Sequence, residues 1–275
     1  DFDAAIRTNP AQHLGWHYRA QLRRQRGDAV RARGGDPRAD YEGALADLDR
    51  VVAMRPTEGV AWIERGLVRT NRAAWLGDHG QDALAEIESG IAEFDRALAL
   101  NEHHADGWLH RGGLRTNLGL ARMGKGQDPA QAFAAAETDL DRAAQLQPAR
   151  PEVWMRVGTL HLSWGLRRIE EADAGARFGR ALDAFGKALA LVPTAELWKN
   201  RAAAHSNVAL WKMKRGEDPE ASFAAAVADC AKALEMNPRL AEVHRVRGAV
   251  HGNWANYRIN RGQDALDSLA ATVTD

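Results

Sequence analysis

The chain has 275 residues, of which 45% are hydrophobic and 27% are charged, a balance typical of folded rather than disordered proteins. Its 37 basic and 37 acidic residues cancel, which argues against nucleic acid or an anionic membrane as a partner, because both require a basic surface. No apolar run reaches membrane-spanning length, and the single cysteine, Cys230, excludes an internal disulfide framework.

One sequence position recurs along the whole chain. It is occupied by Trp in five copies and by His in the sixth: Trp16, Trp62, Trp108, Trp154, Trp198 and His244. The successive spacings are 46, 46, 46, 44 and 46 residues. A sustained period in this range predicts a solenoid built from stacked repeats.

Each repeat is predicted to contain two helices. The first carries the Trp and ends at a Gly-rich turn such as "HGQDA" or "KGQDP". The second starts where an N-cap Asp precedes a Pro at the first helical position, as at Asp36, Asp128 and Asp218, and stops before a second Pro, such as Pro56 or Pro148. The predicted segments are 1–12 (second-helix half of a preceding repeat), 13–58, 59–104, 105–150, 151–194, 195–240, and 241–275 (a first helix plus half a second).

The recurring residues resemble the tetratricopeptide repeat family, whose pattern is Trp, Gly four residues later, a small residue, an aromatic, Ala and Pro. The second repeat matches it with Trp62, Gly66, Gly90, Phe94 and Ala97, and has Glu102 in the Pro position. The third matches with Trp108, Gly112, Ala136, Leu140, Ala143 and Pro148. The usual family unit is about twelve residues shorter, so both helices are expected to be longer at the hairpin end. The resemblance implies a single all-α, right-handed superhelical solenoid of antiparallel helix pairs, and no segment has the period-two alternation of a sheet.

Two charged positions vary together between repeats. An Arg follows the Trp position by three residues, and the second helix carries an acid, giving the pairs Arg19–Asp47, Arg65–Glu93, Arg111–Asp139 and Arg201–Asp229. In the fourth repeat Val157 and Ala184 replace both charges. An Arg row that binds a ligand is one interpretation. The joint loss favours the other, a half-buried structural ion pair, because an unpaired buried charge is costly.

An amide side chain follows the Trp position by nine residues in most repeats: Asn71, Asn117, Asn207 and Asn253. In the family this position lies near the concave face of the first helix. Amides there could grip the backbone of an extended peptide, or each could bond the neighbouring helix. The variable residues one position after the Trp, including His17, Ile63 and Leu109, are also expected in that groove.

The two ends of the sequence fall at the same repeat position, because Asp1 and Asp275 both align with Asp139. They are expected to be complementary halves of one helix, which predicts a head-to-tail junction. Its predicted residues are Asp1, Phe2, Ile6, Leu266, Leu269, Val273 and Asp275. A window on a longer repeat array is the alternative interpretation.

The sequence therefore predicts a non-enzymatic scaffold that assembles head to tail into a fibre or tube, or alternatively a monomeric peptide-binding module. Every polar feature recurs with the repeat, so no catalytic residue, metal site or cofactor is predicted. The expected partners are proteins, either copies of the chain or a peptide, with no nucleic acid and no membrane insertion. The chain is expected to be soluble, in the cytoplasm or in an extracellular assembly.

Overall fold

The computed structural model describes residues 1–167, 169–170 and 173–266, and these residues form twelve α-helices and no strand. The helices are α1 (Phe2–Thr8), α2 (His13–Ala32), α3 (Arg38–Met54), α4 (Gly59–Asp78), α5 (Leu84–Leu100), α6 (Ala105–Gly124), α7 (Ala130–Leu146), α8 (Pro151–Arg167), α9 (Ala174–Leu191), α10 (Ala195–Lys214), α11 (Glu220–Met236) and α12 (Ala241–Asn260). They belong to two compact units, Asp1–Leu146 and Gln147–Asp275. The predicted all-α helical-repeat fold is confirmed.

Consecutive helices pack as hairpins. In the first unit α2 packs on α3, α4 on α5 and α6 on α7, and each second helix also contacts the next first helix. In the second unit α8 packs on α9 and α10 on α11, while α12 packs on α11 and α10. Short turns make each packed pair antiparallel. This connectivity is that of stacked helix pairs, in which each hairpin buries the apolar face of its neighbour.

The hairpin turn has the same geometry in five places. One glycine has φ between 66° and 76°, which an L side chain disfavours: Gly34, Gly80, Gly126, Gly216 and Gly262. An aspartate two residues after it accepts a hydrogen bond from a backbone N–H, as Asp36 does from Arg38 at 3.0 Å. The helix begins at Arg38, one residue later than predicted, so Pro37 precedes the helix while Asp36 still satisfies a first-turn donor.

Two layers of glycines receive large side chains within the hairpins. The first layer, at the Gly and aromatic positions of the repeat pattern, pairs Gly66 with Phe94, and a Cβ on Gly66 would lie 2.6 Å from the phenyl ring. A second layer lies one step nearer the turn, where Gly27 faces Tyr41 and would meet its ring at 2.7 Å. The same layer recurs at Gly119–Phe133 and Gly165–Phe178. This second layer, which the sequence analysis did not identify, fills the longer part of the hairpin.

Candidate functional site

The Trp of the first four repeats ties its helix to the preceding turn. The indole N–H donates to the carbonyl six residues earlier, at 3.0 Å from Trp16 to Pro10 and 2.7 Å from Trp108 to Glu102. The acceptor is a backbone oxygen, so Glu102 serves as well as the proline of other repeats. An arginine three residues later lies over the ring, with Arg111 4.6 Å from the Trp108 centroid. The Trp thus positions the arginine at the repeat boundary.

In the first unit, the arginine three residues after each Trp contacts two acids. The Nε and Nη2 of Arg111 donate to Asp139 at 2.9 and 2.7 Å, and its Nη1 donates to Asp95 at 2.6 Å. Asp139 belongs to the same repeat, whereas Asp95 lies on the second helix of the preceding one. Arg19 likewise contacts Asp47 and Asp3, and Arg65 contacts Glu93 and Asp49. The structure therefore places each predicted pair in contact and adds a bridge between repeats.

The second acid of each bridge was missed in the sequence analysis. It lies two residues after the buried acid of the preceding repeat, as Asp49 follows Asp47 and Asp95 follows Glu93. The alternation of acids was visible, but its meaning depends on helix packing. One acid faces its own first helix and is nearly fully buried, while the other faces the next repeat and is about half exposed, as the side chains of Asp139 (1% exposed) and Asp95 (49% exposed) show.

The second unit contains one predicted pair. Arg201 donates twice to Asp229, both times at 2.7 Å, and this bonding raises the pKa of Arg201. In the hairpin of α8 and α9, Val157 and Ala184 are both buried, so apolar contact replaces the ion pair. His205 lies 3.8 Å from Asp229, and burial lowers the pKa of its imidazole despite that neighbouring carboxylate.

The predicted Asn row has no single environment. The Asn71 amide donates to Asp28 of the neighbouring first helix at 2.7 Å, and Asn207 donates to the Ala203 carbonyl of its own helix at 2.9 Å. Asn117 is exposed, and Asn253 is half-buried. The residue opposite each amide on the preceding first helix accounts for the difference. Asn71 faces Asp28, whereas Asn117 has Ala74 at the equivalent position. The amides are thus not equivalent along the row.

A polar cavity opens between the first helices α2 and α4. Its volume is about 440 Å³, and it is lined by Asp28, Arg31, Ala32, Asn71 and Asp78. Arg31 donates to Asp78 at 2.6 Å, while Asp28 accepts from both Asn71 and the Tyr41 hydroxyl. Burial, together with the bond to Asp28, raises the pKa of Tyr41. The cavity wall is therefore set by hydrogen bonds within the protein.

The prediction of a groove position directly after the Trp was wrong for three repeats. His17, Ile63 and Leu109 are 6%, 5% and 1% exposed, respectively. Ile63 belongs to a core cluster with Phe94 and Leu114. At this position the side chain points into the boundary between stacked hairpins, so its variation reflects packing in these repeats.

The N-terminal part of the predicted junction forms a short helix on α2. Asp1 caps α1 by accepting hydrogen bonds from Asp3 and Ala4. Ile6 is buried against Gly15, as Leu98 is against Gly107. Phe2 stacks on Tyr18 with ring centroids 5.9 Å apart, and it is 38% exposed, unlike the fully buried Phe94. Leu266 is 71% exposed, and Leu269, Val273 and Asp275 lie outside the described residues.

One face of α2 leaves apolar side chains uncovered. Tyr18 is 48% exposed and Leu22 is 53% exposed. Residues at the Leu22 position of later repeats, Val68 and Leu114, are 0% and 1% exposed because a preceding hairpin covers them. A cavity of about 440 Å³ adjoins Leu22 and is lined also by Asp3, Arg19, Arg23, Gln25 and Arg26. The surface has the shape and chemistry of a repeat boundary.

Within the described residues, no group of three or more His, Cys, Asp and Glu side chains is arranged to hold a metal ion. None of the described helices combines the length and apolar character needed to cross a membrane. His104, one of two adjacent histidines in an inter-repeat turn, accepts a hydrogen bond from the Gly107 N–H as the N-cap of α6.

No protein-family profile and no curated protein matches this chain. Among solved structures it is similar to YrrB, described as a TPR protein with an unusual peptide-binding site, with a TM-score of 0.51 and 16% identity over 90% of this chain and 97% of that one. TTC0263, a TPR protein of Thermus thermophilus, has a TM-score of 0.53 and 17% identity over 84% of this chain and 98% of that one. The Cut9–Hcn1 structure of the APC/C has a TM-score of 0.52 and 17% identity over 99% of this chain and 42% of that one. At such identities the likeness shows the fold, and the tetratricopeptide-repeat fold expected from the sequence is confirmed.

Proposed function

We propose that this chain is a non-enzymatic helical-repeat scaffold for protein–protein interaction, and that it associates head to tail with copies of itself into a fibre or tube. The observation that carries the proposal is the uncovered face of α2. Tyr18 and Leu22 are about half exposed, whereas the later counterparts of Leu22 are buried by a preceding hairpin. A helical-repeat protein stabilises such a face by stacking a further repeat on it.

The contacts of α1 support the same arrangement. Asp3 lies 2.6 Å from Arg19, as Asp95 lies 2.6 Å from Arg111, and this hydrogen bond lowers the pKa of Asp3. Ile6 packs on Gly15 in the place that Leu98 takes on Gly107. We infer that α1 takes the place on α2 that the C-terminal part of a second helix takes at the later repeat boundaries.

Sedimentation velocity and electron microscopy of the purified protein test this proposal. We expect the wild type to form larger species as its concentration rises. The double variant Tyr18→Asp/Leu22→Asp should remain monomeric, because it replaces the apolar surface of the junction with two charges that association would have to desolvate. Leu100→Asp is the matched control, since Leu100 is 43% exposed at a different place in the first unit. A wild type that stays monomeric throughout the concentration series would overturn the proposal.

A second candidate function is the binding of an extended peptide along the first helices. It is favoured by the exposed Asn117 and by the polar cavity beside Asn71. The similar protein YrrB is described as having a peptide-binding site. Under this proposal the groove residues would be Asn71, Asn117, Asn207 and Asn253, with Asn117 the one most open to a ligand.

Peptide binding can be tested by selecting binders from a displayed library of unstructured peptides. The selected peptides are then measured against a matched pair of variants. Asn117→Ala should weaken any selected peptide and leave the melting temperature unchanged, because the side chain is exposed. Asn71→Ala should instead lower stability by about 1–3 kcal/mol, since it removes a donor to the part-buried Asp28. If no peptide is selected, or if Asn117→Ala binds as the wild type does, this groove has no such function.

A further inference from the structure

Three hydrogen bonds between consecutive first helices share the same register. Gln21 donates to Glu64 at 3.0 Å, Asn71 donates to Asp28 at 2.7 Å, and Lys199 donates to Glu242 at 2.5 Å. Each of these pairs is separated by 43 residues, three fewer than the 46-residue repeat. When two first helices are aligned on their Trp positions, a residue on the earlier helix does not face its aligned counterpart on the later one. It faces the residue three positions before that counterpart. Two of these bonds lie in the first unit and one in the second, while the longer side chains of Arg24 and Arg31 reach acids 40 and 47 residues away.

The same register can be applied to the face of α2 that no described helix covers. It pairs Tyr18 with Ala249 and Gln25 with Asn256 of a second copy, and all four residues are exposed. We propose that α12 of one molecule docks on α2 of the next, with Ala249 beneath the Tyr18 ring and the Asn256 amide bonded to the Gln25 amide. This inference rests on the head-to-tail association proposed above and names the residues that make the contact.

The two pairs are complementary in size and in hydrogen bonding. Ala249 is small, so it leaves room for the phenol ring of Tyr18 that a larger residue would deny. Each amide offers both a donor and an acceptor, so Gln25 and Asn256 can form two hydrogen bonds with each other. The equivalent pair inside the first unit, Asp28 and Asn71, is already bonded at 2.7 Å. The intermolecular contact would repeat that interaction.

A charge-exchange experiment tests the register. One double variant carries Gln25→Lys and Asn256→Lys, and another carries Gln25→Glu and Asn256→Glu. Each variant alone places like charges together at every junction, so we expect its self-association constant to fall by about tenfold or more. An equimolar mixture alternates opposite charges, and we expect it to recover to within about threefold of the wild type. Both positions are exposed, so each variant should fold, and circular dichroism is the measurement that checks this.

The control moves one charge by about one helical turn. Asn260 is exposed on the same helix, and mixing Gln25→Lys/Asn260→Lys with Gln25→Glu/Asn260→Glu should give a smaller recovery. If the wild type does not self-associate, the head-to-tail proposal fails, and this inference fails with it. If the wild type associates but the charge variants associate equally well, or if the Asn260 mixture recovers as fully as the Asn256 mixture, the register is wrong and the proposed function stands.

Discussion

The two compact units are built from the same helical hairpin, but they join consecutive hairpins by different interactions. In the first unit, three arginines each bridge an acid of their own repeat and an acid of the preceding helix. In the second unit Arg201 contacts Asp229, and the position two residues after Ala184, where a second acid would stand, is Gly186. The comparison shows that hairpin packing defines the fold, whereas charge bridges are an addition specific to some repeats.

The histidines mark the same division. Seven residues after the Trp position, the first unit carries Arg23, Arg69 and Arg115, and the second carries His161, His205 and His251. Arg115 donates to Asp139 at 2.8 Å, so the arginine adds a further charge to the buried acid. His205 is placed near Asp229 but is neutralised by burial, which lowers its pKa. At this position the first unit therefore carries a permanent positive charge, whereas the imidazole of His205 is held neutral.

The largest expected effect comes from removing one bridging arginine. Arg111→Leu leaves the fully buried Asp139 with Arg115 alone and removes the partner of Asp95, so we expect a loss of about 3–5 kcal/mol. Arg201→Leu should cost at least as much, because the buried Asp229 would then face only the neutral His205, whereas Asp139 keeps Arg115. Denaturant unfolding combined with hydrogen exchange locates each loss. A clearly smaller loss from Arg201→Leu than from Arg111→Leu would contradict this reasoning.

The double variant Arg111→Leu/Asp139→Leu tests whether the two residues interact. We expect it to be more stable than Arg111→Leu, because it removes the stranded buried carboxylate together with its partner. If the loss in the double variant equals the sum of the two single losses, the pair makes no energetic contribution.

The sequence predicted the first half of this bridge and not the second. Arg111 and Asp139 could be paired because both charges disappear together at Val157 and Ala184. Asp95 could not be assigned, because its partner lies on the next hairpin and repeat periodicity alone does not say which helix faces which. The second layer of Gly and aromatic residues was missed for the same reason. It recurs in the sequence, but only the packed hairpin shows Gly119 against Phe133.

The groove was the least predictable feature. The position of a residue in the family's repeat pattern indicates the side of the helix on which it lies. Whether its side chain is exposed depends on the residues of the neighbouring repeat. Asn71 is bonded because Asp28 stands opposite, while Asn117 is exposed with Ala74 in that place. Similarly, Ile63 and Leu109 are apolar residues at a position expected to face solvent, and they are buried between hairpins.

An intermediate effect is expected when acid protonates His205 in the second unit. Because burial lowers the pKa of His205 in the folded protein, the unfolded chain binds the proton more readily as the pH falls below about 6.5. Stability should therefore be lost as the pH falls through that value. Asp229 and Arg201 are the charged groups that face this imidazole. Hydrogen exchange at pH values about one unit above and one unit below the ordinary histidine value should show lower protection factors in α10 and α11 on the acid side, after correction for the intrinsic pH dependence of exchange.

His205→Arg is the matched control, because it places in the second unit the residue that Arg115 supplies in the first. The variant should lose the acid sensitivity of α10 and α11, since arginine stays protonated throughout this range. If the wild type and His205→Arg respond equally to acid, another group is responsible for the response.

The smallest effect concerns the exposed acid of the bridge, and it can be tested by adding one. Ala231 is exposed on α11, sixteen residues before Arg247, which is the spacing of Asp95 from Arg111 and of Asp49 from Arg65. Ala231→Asp should stabilise the contact between α11 and α12 by at most about 0.5 kcal/mol at low salt, because the pair is solvent-exposed. Asp95→Asn should produce a loss of the same size in the first unit. Both effects should vanish in about 1 M salt, where the Debye length falls to about 3 Å. If the stability gained from Ala231→Asp survives high salt, helix propensity or capping is responsible for the gain, and the bridge is not. If Ala231→Asp has no effect on stability at low salt, Arg247 of α12 does not take the position that Arg111 takes on α6.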